Sequence, residues 1–496
     1  MRCPGFLAMR LLLFSTLFPN AAAPAHGIFV ENRLRAYREK YDAEVKVVAP
    51  VPWFPASHSI FGEYGRYARA PRHEFRHGTE IYHPRFFVLP KLGMQVAPAS
   101  LTRCLQKEAR RLISEGWDFD FIDAHYFYPD GVAAAKVAQE LGKPFVVTAR
   151  GTDINLLPSF QGPRKKILDA AWRADAIITV ADALKRELET LGAPAEKITV
   201  LRNGVDLEKF HPVEDRDVER DRLGVDGLVL ASVGHLIERK GHGLVIEALK
   251  ELPSATLLIV GGGPARHALE KRASALGVSD RVRFLGEASP EALQRIYSAA
   301  DILVLASSRE GWPNVLLEAM ACGTPCVATN VWGTGEVIRK PEAGRLARER
   351  TPSAIADAVK NISISPAGRM AVRRYAEQHS WAETANGMQA VFRALEEKSR
   401  AAKALECSAL ALDASAERPR LIITVDTEEE FDWSCFDGSE WRVSPPDGIE
   451  RFHALCRKHG GAPLYFVTWP VLKDRAAAAL FRKMKAQGEA DFGLHL

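Results

Sequence analysis

This chain is short of cysteine, of long apolar runs and of net charge, and each shortage removes a class of protein. Seven cysteines in 496 residues, at positions 3, 104, 322, 326, 407, 435 and 456, form no CxxC pair and no zinc-type spacing. Neither a disulfide framework nor a thiolate metal site is therefore expected, and a reducing, cytoplasmic compartment fits. Cys322 and Cys326 lie among Ala, Gly, Thr and Pro, so they read as packed thiols and not as a redox pair. No apolar stretch approaches the ~18–20 residues of a membrane-spanning helix. A formal charge of +4 is too small for a dedicated nucleic-acid binder; it suits a small anionic substrate or peripheral contact with the cytoplasmic face of the inner membrane. Short internal repeats are also missing, which sets solenoids aside.

What is present is an ordinary globular composition, 47% hydrophobic and 26% charged, in a chain too long for one core. Strand-like apolar runs at Val45–Val48, Phe121–Ala124, Phe145–Thr148, Ala176–Val180 and Ile198–Leu201 alternate with helix-like segments. A second series follows at Leu228–Val233, Ala255–Val260, Val282–Phe284, Ile302–Leu305 and Cys326–Thr329. Such alternation predicts an α/β fold with parallel sheets covered by helices. Ligands then bind beyond the carboxyl ends of the strands, so the loops after these runs should share a cleft. Between Glu396 and Arg418 the chain becomes Ala- and charge-rich, which reads as a helical end and then a linker.

The most informative stretch is Glu310-Gly-Trp-Pro-Asn-Val-Leu-Leu-Glu318, followed by a small-residue helix and a Gly-Thr-Pro turn ending at Pro325. Pro313 is a favoured first helical residue, and the free backbone N–H groups of Asn314 and Val315 would face an anion with the helix dipole behind them. Glu310 could reach sugar hydroxyls, and Glu318, more than a turn inside, the hydroxyls of a ribose. The segment resembles the nucleotide-sugar signature of the retaining glycosyltransferases of family 4, of the teichuronic-acid and polysaccharide type. The resemblance covers residues 9–396 and implies the GT-B fold, two Rossmann-like doubly wound domains facing a cleft. Residues 9–212 would form the acceptor-side domain and 213–396 the nucleotide-sugar domain, its last helix packing back on the first.

Several further motifs take meaning from that resemblance. Gly234-His-Leu-Ile-Glu-Arg239-Lys240 places a lysine where the family holds the donor diphosphate, with His235 in place of the usual arginine; Arg239 is a second cation there. Gly261-Gly262-Gly-Pro264 matches the turn beneath the nucleobase, and Gly27 the glycine opening the first helix. On the acceptor side stand His125 in Ile122-Asp-Ala-His-Tyr-Phe-Tyr-Pro-Asp130, and Arg150, Asp153 and Asn155 in Thr148-Ala-Arg-Gly-Thr-Asp-Ile-Asn. Many relatives have histidine where Arg150 stands. Arg202-Asn-Gly-Val-Asp206 reads as a structural turn, and Gly333-Thr-Gly-Glu336 resembles a Gly-x-Pro-Glu turn with Gly335 replacing the proline. Met1–Ala25 has the look of a cleaved signal peptide. However, Met9-Arg-Leu-Leu-Leu-Phe resembles the first strand of the family, so it is read as folded structure, with translation starting at Met1 or Met9.

The expected function is transfer of a sugar, with retention, from a UDP- or GDP-sugar to a polysaccharide or lipid-linked glycan. Glu310, Lys240, Arg239 and His125 are the candidate catalytic groups, and the donor would be held by Gly27, Gly234, Lys240, Gly262, Glu310, Asn314, Val315 and Glu318. No metal or cofactor is expected, since protein cations would carry the diphosphate. After a linker over 397–419, residues 420–496 resemble the start of a polysaccharide deacetylase, an incomplete α/β-barrel piece. Asp426 would match its base, and Glu428 and His495 two ligands of its metal. The second histidine does not follow, so an inactive, vestigial segment is expected. The alternatives are a metal-dependent deacetylase and a non-catalytic scaffold.

Overall fold

The computed structural model describes residues 9–88, 93–364 and 368–414, and beyond them 424–427, 447–458, 464–467, 475–487 and 491–494. The chain divides into two units, Met1–Ala401 and Ala402–Leu496.

The first unit holds two large sheets. In sequence order the strands of its N-terminal half are β1 (Met9–Phe14), β2 (Ala43–Val48), β3 (Val51–Pro52), β4 (His73–Arg76), β5 (Thr79–Tyr82), β6 (Arg85–Phe86), β7 (Phe121–His125), β8 (Phe145–Ala149), β9 (Ala176–Thr179) and β10 (Ile198–Val200). Eight of them form one sheet in the order β10-β9-β8-β7-β1-β2-β5-β4, and β3 pairs with β6. All neighbours in the large sheet run parallel except β4 and β5. The central strand β1 is apolar from Leu11 onward because both faces are covered, with Leu11, Leu12, Leu13 and Phe14 buried. The hairpin β4–β5 was not legible in the sequence. Its strands, His-Glu-Phe-Arg at the sheet edge and Thr-Glu-Ile-Tyr next to it, carry too few apolar residues to show.

The second half contributes β11 (Leu228–Val233), β12 (Ala255–Val260), β13 (Val282–Gly286), β14 (Ile302–Leu305), β15 (Cys326–Thr329) and β16 (Gly344–Ala347). They form a parallel sheet in the order β13-β12-β11-β14-β15-β16. Relative to β11 this is the doubly wound order 3-2-1-4-5-6, whose strand sequence reverses between β11 and β14. In the first sheet the reversal falls between β1 and β7.

The helix Trp381–Ala414 returns to the first half. Met388, Phe392 and Leu395 join the core cluster of β1, β2 and the helix Ile28–Lys40. Phe392 meets the rings of Tyr37 and Phe121 at 5.1 Å each. The segment expected as a linker from residue 397 is therefore helical as far as Ala414. Cys322 and Cys326 are buried free thiols.

The second unit contains β17 (Thr424–Thr427), β18 (Leu464–Val467) and β19 (Asp491–Leu494), parallel in that order, with helices Asp447–Lys458 and Arg475–Ala486 between them. Asp426 lies in β17, whereas Glu428 and His495 fall outside the described residues.

Candidate active site

The crevice at a strand-order reversal is where a doubly wound sheet offers backbone to a ligand, and here the loops after β11 and β14 meet there. Gly241 makes the approach possible. It has φ 72°, and a Cβ built on it would lie 2.0 Å from the Ala306 carbonyl oxygen. The loop consequently lays the stem of Lys240 along Gly234, 3.6 Å from where a side chain there would begin. Lys240 Nζ donates to Glu310 Oε1 at 2.6 Å, and Ser307 Oγ donates to the same oxygen at 2.6 Å. Arg239 donates to the Arg309 carbonyl at 2.8 Å and stands 4.0 Å from Glu310 Oε2. The cation and carboxylate that the sequence separates by 70 positions thus form one ion pair with the second cation beside it.

The helix after this loop spans Asn314–Ala321, one residue later than Pro313 suggested, with Pro313 as its cap. Its first backbone bond is Leu316 N–H to Pro313 O, 3.1 Å. Asn314 and Val315, which precede that bond, are half-buried. Glu318 accepts from the Tyr297 hydroxyl at 3.0 Å, and burial pushes its carboxyl up to about 7. A ribose hydroxyl bonds more strongly to the ionised form. With Glu318 on the ribose, as expected from the sequence, affinity for a nucleotide-sugar should rise about three- to tenfold between pH 6 and pH 8, and Glu318→Gln should flatten that profile. Calorimetric titration of both proteins checks this, since the diphosphate diester does not titrate in the window. The stability effect has the opposite sign. The folded state keeps a proton that the unfolded chain loses near 4.5, so this group's contribution falls as pH rises from about 4.5 to about 7.

Across the cleft, the loop after β1 supplies Thr16, Asn20 and Ala22–His26, facing Gly234, His235, Gly261–Pro264 and Glu287 around an open volume of about 1220 Å³. Gly262 belongs to this wall, where an added Cβ would sit 2.5 Å from Glu287 Oε1. Gly27 does not line the cleft. Its φ of 67° and the 2.3 Å from a built Cβ to Leu17 backbone show that it is needed for the chain's path. Asp130 fixes the loop by accepting from Thr16 N–H at 2.8 Å and from Thr16 Oγ1.

The acceptor-side candidates separate into contact and support. Asp153 is buried and turned inward, accepting backbone N–H bonds from Phe127 (2.8 Å), Gly151 (2.7 Å) and Arg150 (3.1 Å). His125 is 1% exposed. Its Nδ1 accepts from Arg150, so the proton sits on Nε2, which donates to Asp123 Oδ2 at 3.1 Å. Burial lowers its pKa to about 4 and keeps it neutral. With both ring nitrogens engaged, His125 orients Arg150 and does not itself reach the cleft, contrary to the catalytic role expected of it. Asn155 Nδ2 donates to the Glu310 carbonyl at 3.4 Å. Here the two halves touch backbone to backbone: a Cβ on Gly311 would lie 2.0 Å from the Arg150 carbonyl oxygen.

Three contributions go beyond the sequence reading, which gave Asn203 and Glu336 only as members of turns and assigned nothing to Ser307. Asn203 bridges the halves, accepting from Arg150 at 3.3 Å and donating to Asn314 Oδ1 at 3.3 Å. Ser307 holds Glu310. Glu336 accepts from the N–H groups of Asp182 (2.9 Å) and Ala183 (2.8 Å) at the start of the helix Asp182–Leu191, and from Arg202. It therefore clamps one half to the other. None of the three carries a sequence signal beyond its turn.

Two doubly wound lobes with a cationic and acidic cluster at their strand reversals define the GT-B class of glycosyltransferase. The comparisons agree. Residues 214–379 match the model described as glycosyl transferases group 1, and residues 35–209 that of glycosyltransferase family 4. TuaC of Bacillus subtilis, assigned to teichuronic acid biosynthesis, is 27% identical over 71% of this chain and 88% of that protein. The D-inositol 3-phosphate glycosyltransferase of Jonesia denitrificans is 32% identical over 58% of this chain and 74% of that one. Among solved structures, sucrose-phosphate synthase from Thermosynechococcus elongatus superposes with a TM-score of 0.63 at 21% identity, covering 78% of this chain and 99% of that one. The Anabaena HepE structure with UDP-glucose gives 0.60 at 20% identity, covering 78% of this chain and 100% of that one. The chain belongs to glycosyltransferase family 4 and is a glycosyltransferase of the kind that uses nucleotide-sugar donors.

Proposed function

We propose that this enzyme moves a sugar from a UDP- or GDP-sugar to a polysaccharide or lipid-linked glycan, with retention at the anomeric carbon and without a metal ion. The observation that carries the reading is the Lys240–Glu310 contact at the reversal between β11 and β14, 2.6 Å long. A donor diphosphate would draw Lys240, Arg239 and the N–H groups of Asn314 and Val315 onto its oxygens, and Glu310 would turn to the sugar hydroxyls. Fixed positive groups aimed at a leaving group are the largest catalytic term such a site offers. In the step itself the bond from the anomeric carbon to the diphosphate oxygen breaks, and the acceptor oxygen bonds to that carbon on the same face. The acceptor's hydroxyl proton passes to the departing diphosphate. Protein cations take the part a divalent ion would play at the diphosphate.

A thermal-shift screen over UDP- and GDP-sugars finds the donor, because a ligand bound only to the folded state raises the melting temperature. Turnover of that donor should release nucleotide diphosphate at an unchanged rate in EDTA, and NMR of the product should show the donor's anomeric configuration. A product of inverted configuration, or loss of turnover in chelator, would refute the mechanism.

A further inference from the structure

Behind the lobe junction lies a polar cluster whose donors outnumber its acceptors. Arg33 is 1% exposed, on the helix Ile28–Lys40, and its Nη1 donates to the Leu201 carbonyl at 3.1 Å and to Asn203 Oδ1 at 3.5 Å. Arg150 donates to the same Asn203 oxygen at 3.3 Å, so two guanidinium groups converge on one neutral amide. Among the described residues, Arg33 Nε and Nη2 and Arg150 Nε are buried without a hydrogen-bond partner. The nearby carboxylates act on these cations only through space, Asp123 on both and Asp153 on Arg150, and hydrogen-bond elsewhere: Asp123 Oδ2 with His125, and Asp153 with backbone N–H groups. Asp123 Oδ1 likewise has no hydrogen-bond partner among the described residues.

The order of the groups matters. From the interior outward it runs Asp123, His125, Arg150: a buried carboxylate, a neutral buried imidazole, then a half-buried guanidinium. The chain of bonds ends with its cation outermost, stacked 5.3 Å over the Phe29 ring and one amide away from Asn314. Two guanidinium groups held close without a direct ion pair repel each other and lose hydration, a cost that an anion relieves and a neutral hydroxyl does not. Burial accordingly lowers Arg33 to about 10 and pulls Arg150 well below the ordinary guanidinium range.

We propose that Arg150, backed by Arg33, is an anion-recognition subsite at the lobe junction, and that one of the two substrates presents a carboxylate or phosphate to it. This rests on the donor reading of the same cleft. The group can come from a nucleotide-linked uronate on the donor or from an acidic acceptor, and calorimetry on the full chain separates the two sources. In one arm UDP-glucuronate is compared with UDP-glucose. In the other, the UDP-saturated protein is titrated with glucuronate, glucose 6-phosphate and glucose.

An advantage of about tenfold for the charged ligand is expected in one arm, identifying the source, and Arg150→Gln should abolish it. Equal binding of charged and neutral ligands in both arms of the wild-type protein overturns the proposal whatever the variant does. So does a preference that survives Arg150→Gln in a variant whose melting temperature is unchanged. Failure of UDP and GDP to bind would count against the donor reading instead; the monosaccharide titration run without nucleotide then still decides the anion subsite.

Discussion

Glu310→Gln should lower kcat by about 100- to 1000-fold while nucleotide affinity stays level or rises. The two halves of that expectation have separate causes. The carboxylate is 7% exposed and holds Lys240 at 2.6 Å in the ligand-free enzyme. Binding a diphosphate therefore requires Lys240 to exchange one anion for another. The amide keeps the volume and can still accept from Ser307, but it carries no charge to compete for the lysine, so the nucleotide meets a freer cation. What is lost is the charged partner for the sugar hydroxyls, and with it the positioning of the anomeric carbon. Steady-state kinetics beside a UDP or GDP titration measures both halves. Unchanged turnover would remove Glu310 from the chemistry, and loss of nucleotide binding in proportion to rate would recast it as a binding residue.

Removing the other partner should have the complementary signature. Lys240→Ala should lower kcat/KM by about 100- to 1000-fold and weaken nucleotide binding as well, because this cation faces charge present in the ground state and increased at the transition state. It also leaves Glu310 buried with Ser307 as its one hydrogen-bond donor among the described residues and Arg239 4.0 Å away, at a cost of about 1–3 kcal/mol in stability; the melting temperature should fall. A double-mutant cycle with Glu310→Gln tests whether they act as one unit. The combined loss should be well short of the product of the single losses, since either change alone already breaks the pair. Multiplicative losses would show two independent sites.

Much of this architecture was legible because its signals are local. A strand covered on both faces must be apolar, so β1, β11, β12 and β14 stand out as runs of Leu, Val and Ile. Edge strands have no such requirement, and β4 and β16, with β5 next to β4, read as His-Glu-Phe-Arg, Gly-Arg-Leu-Ala and Thr-Glu-Ile-Tyr and passed unnoticed. The loop from Glu310 to Glu318 could be recognised since loop chemistry and helix start lie within nine consecutive residues.

Partnerships were another matter. Tyr297 under Glu318, Asn203 between Arg150 and Asn314, and Glu336 on the helix Asp182–Leu191 join residues 21, 111 and 154 positions apart. The sequence by itself determined the two parallel sheets, the family and the loops that carry the polar groups, because periodicity and short motifs follow from backbone geometry within a few residues. Only the tertiary structure decided that Lys240 meets Glu310, that His125 and Asp153 face inward, and that Arg33 stands behind Arg150. Those outcomes depend on which loop ends converge when the strand order reverses, and burial there sets which charges must share a partner.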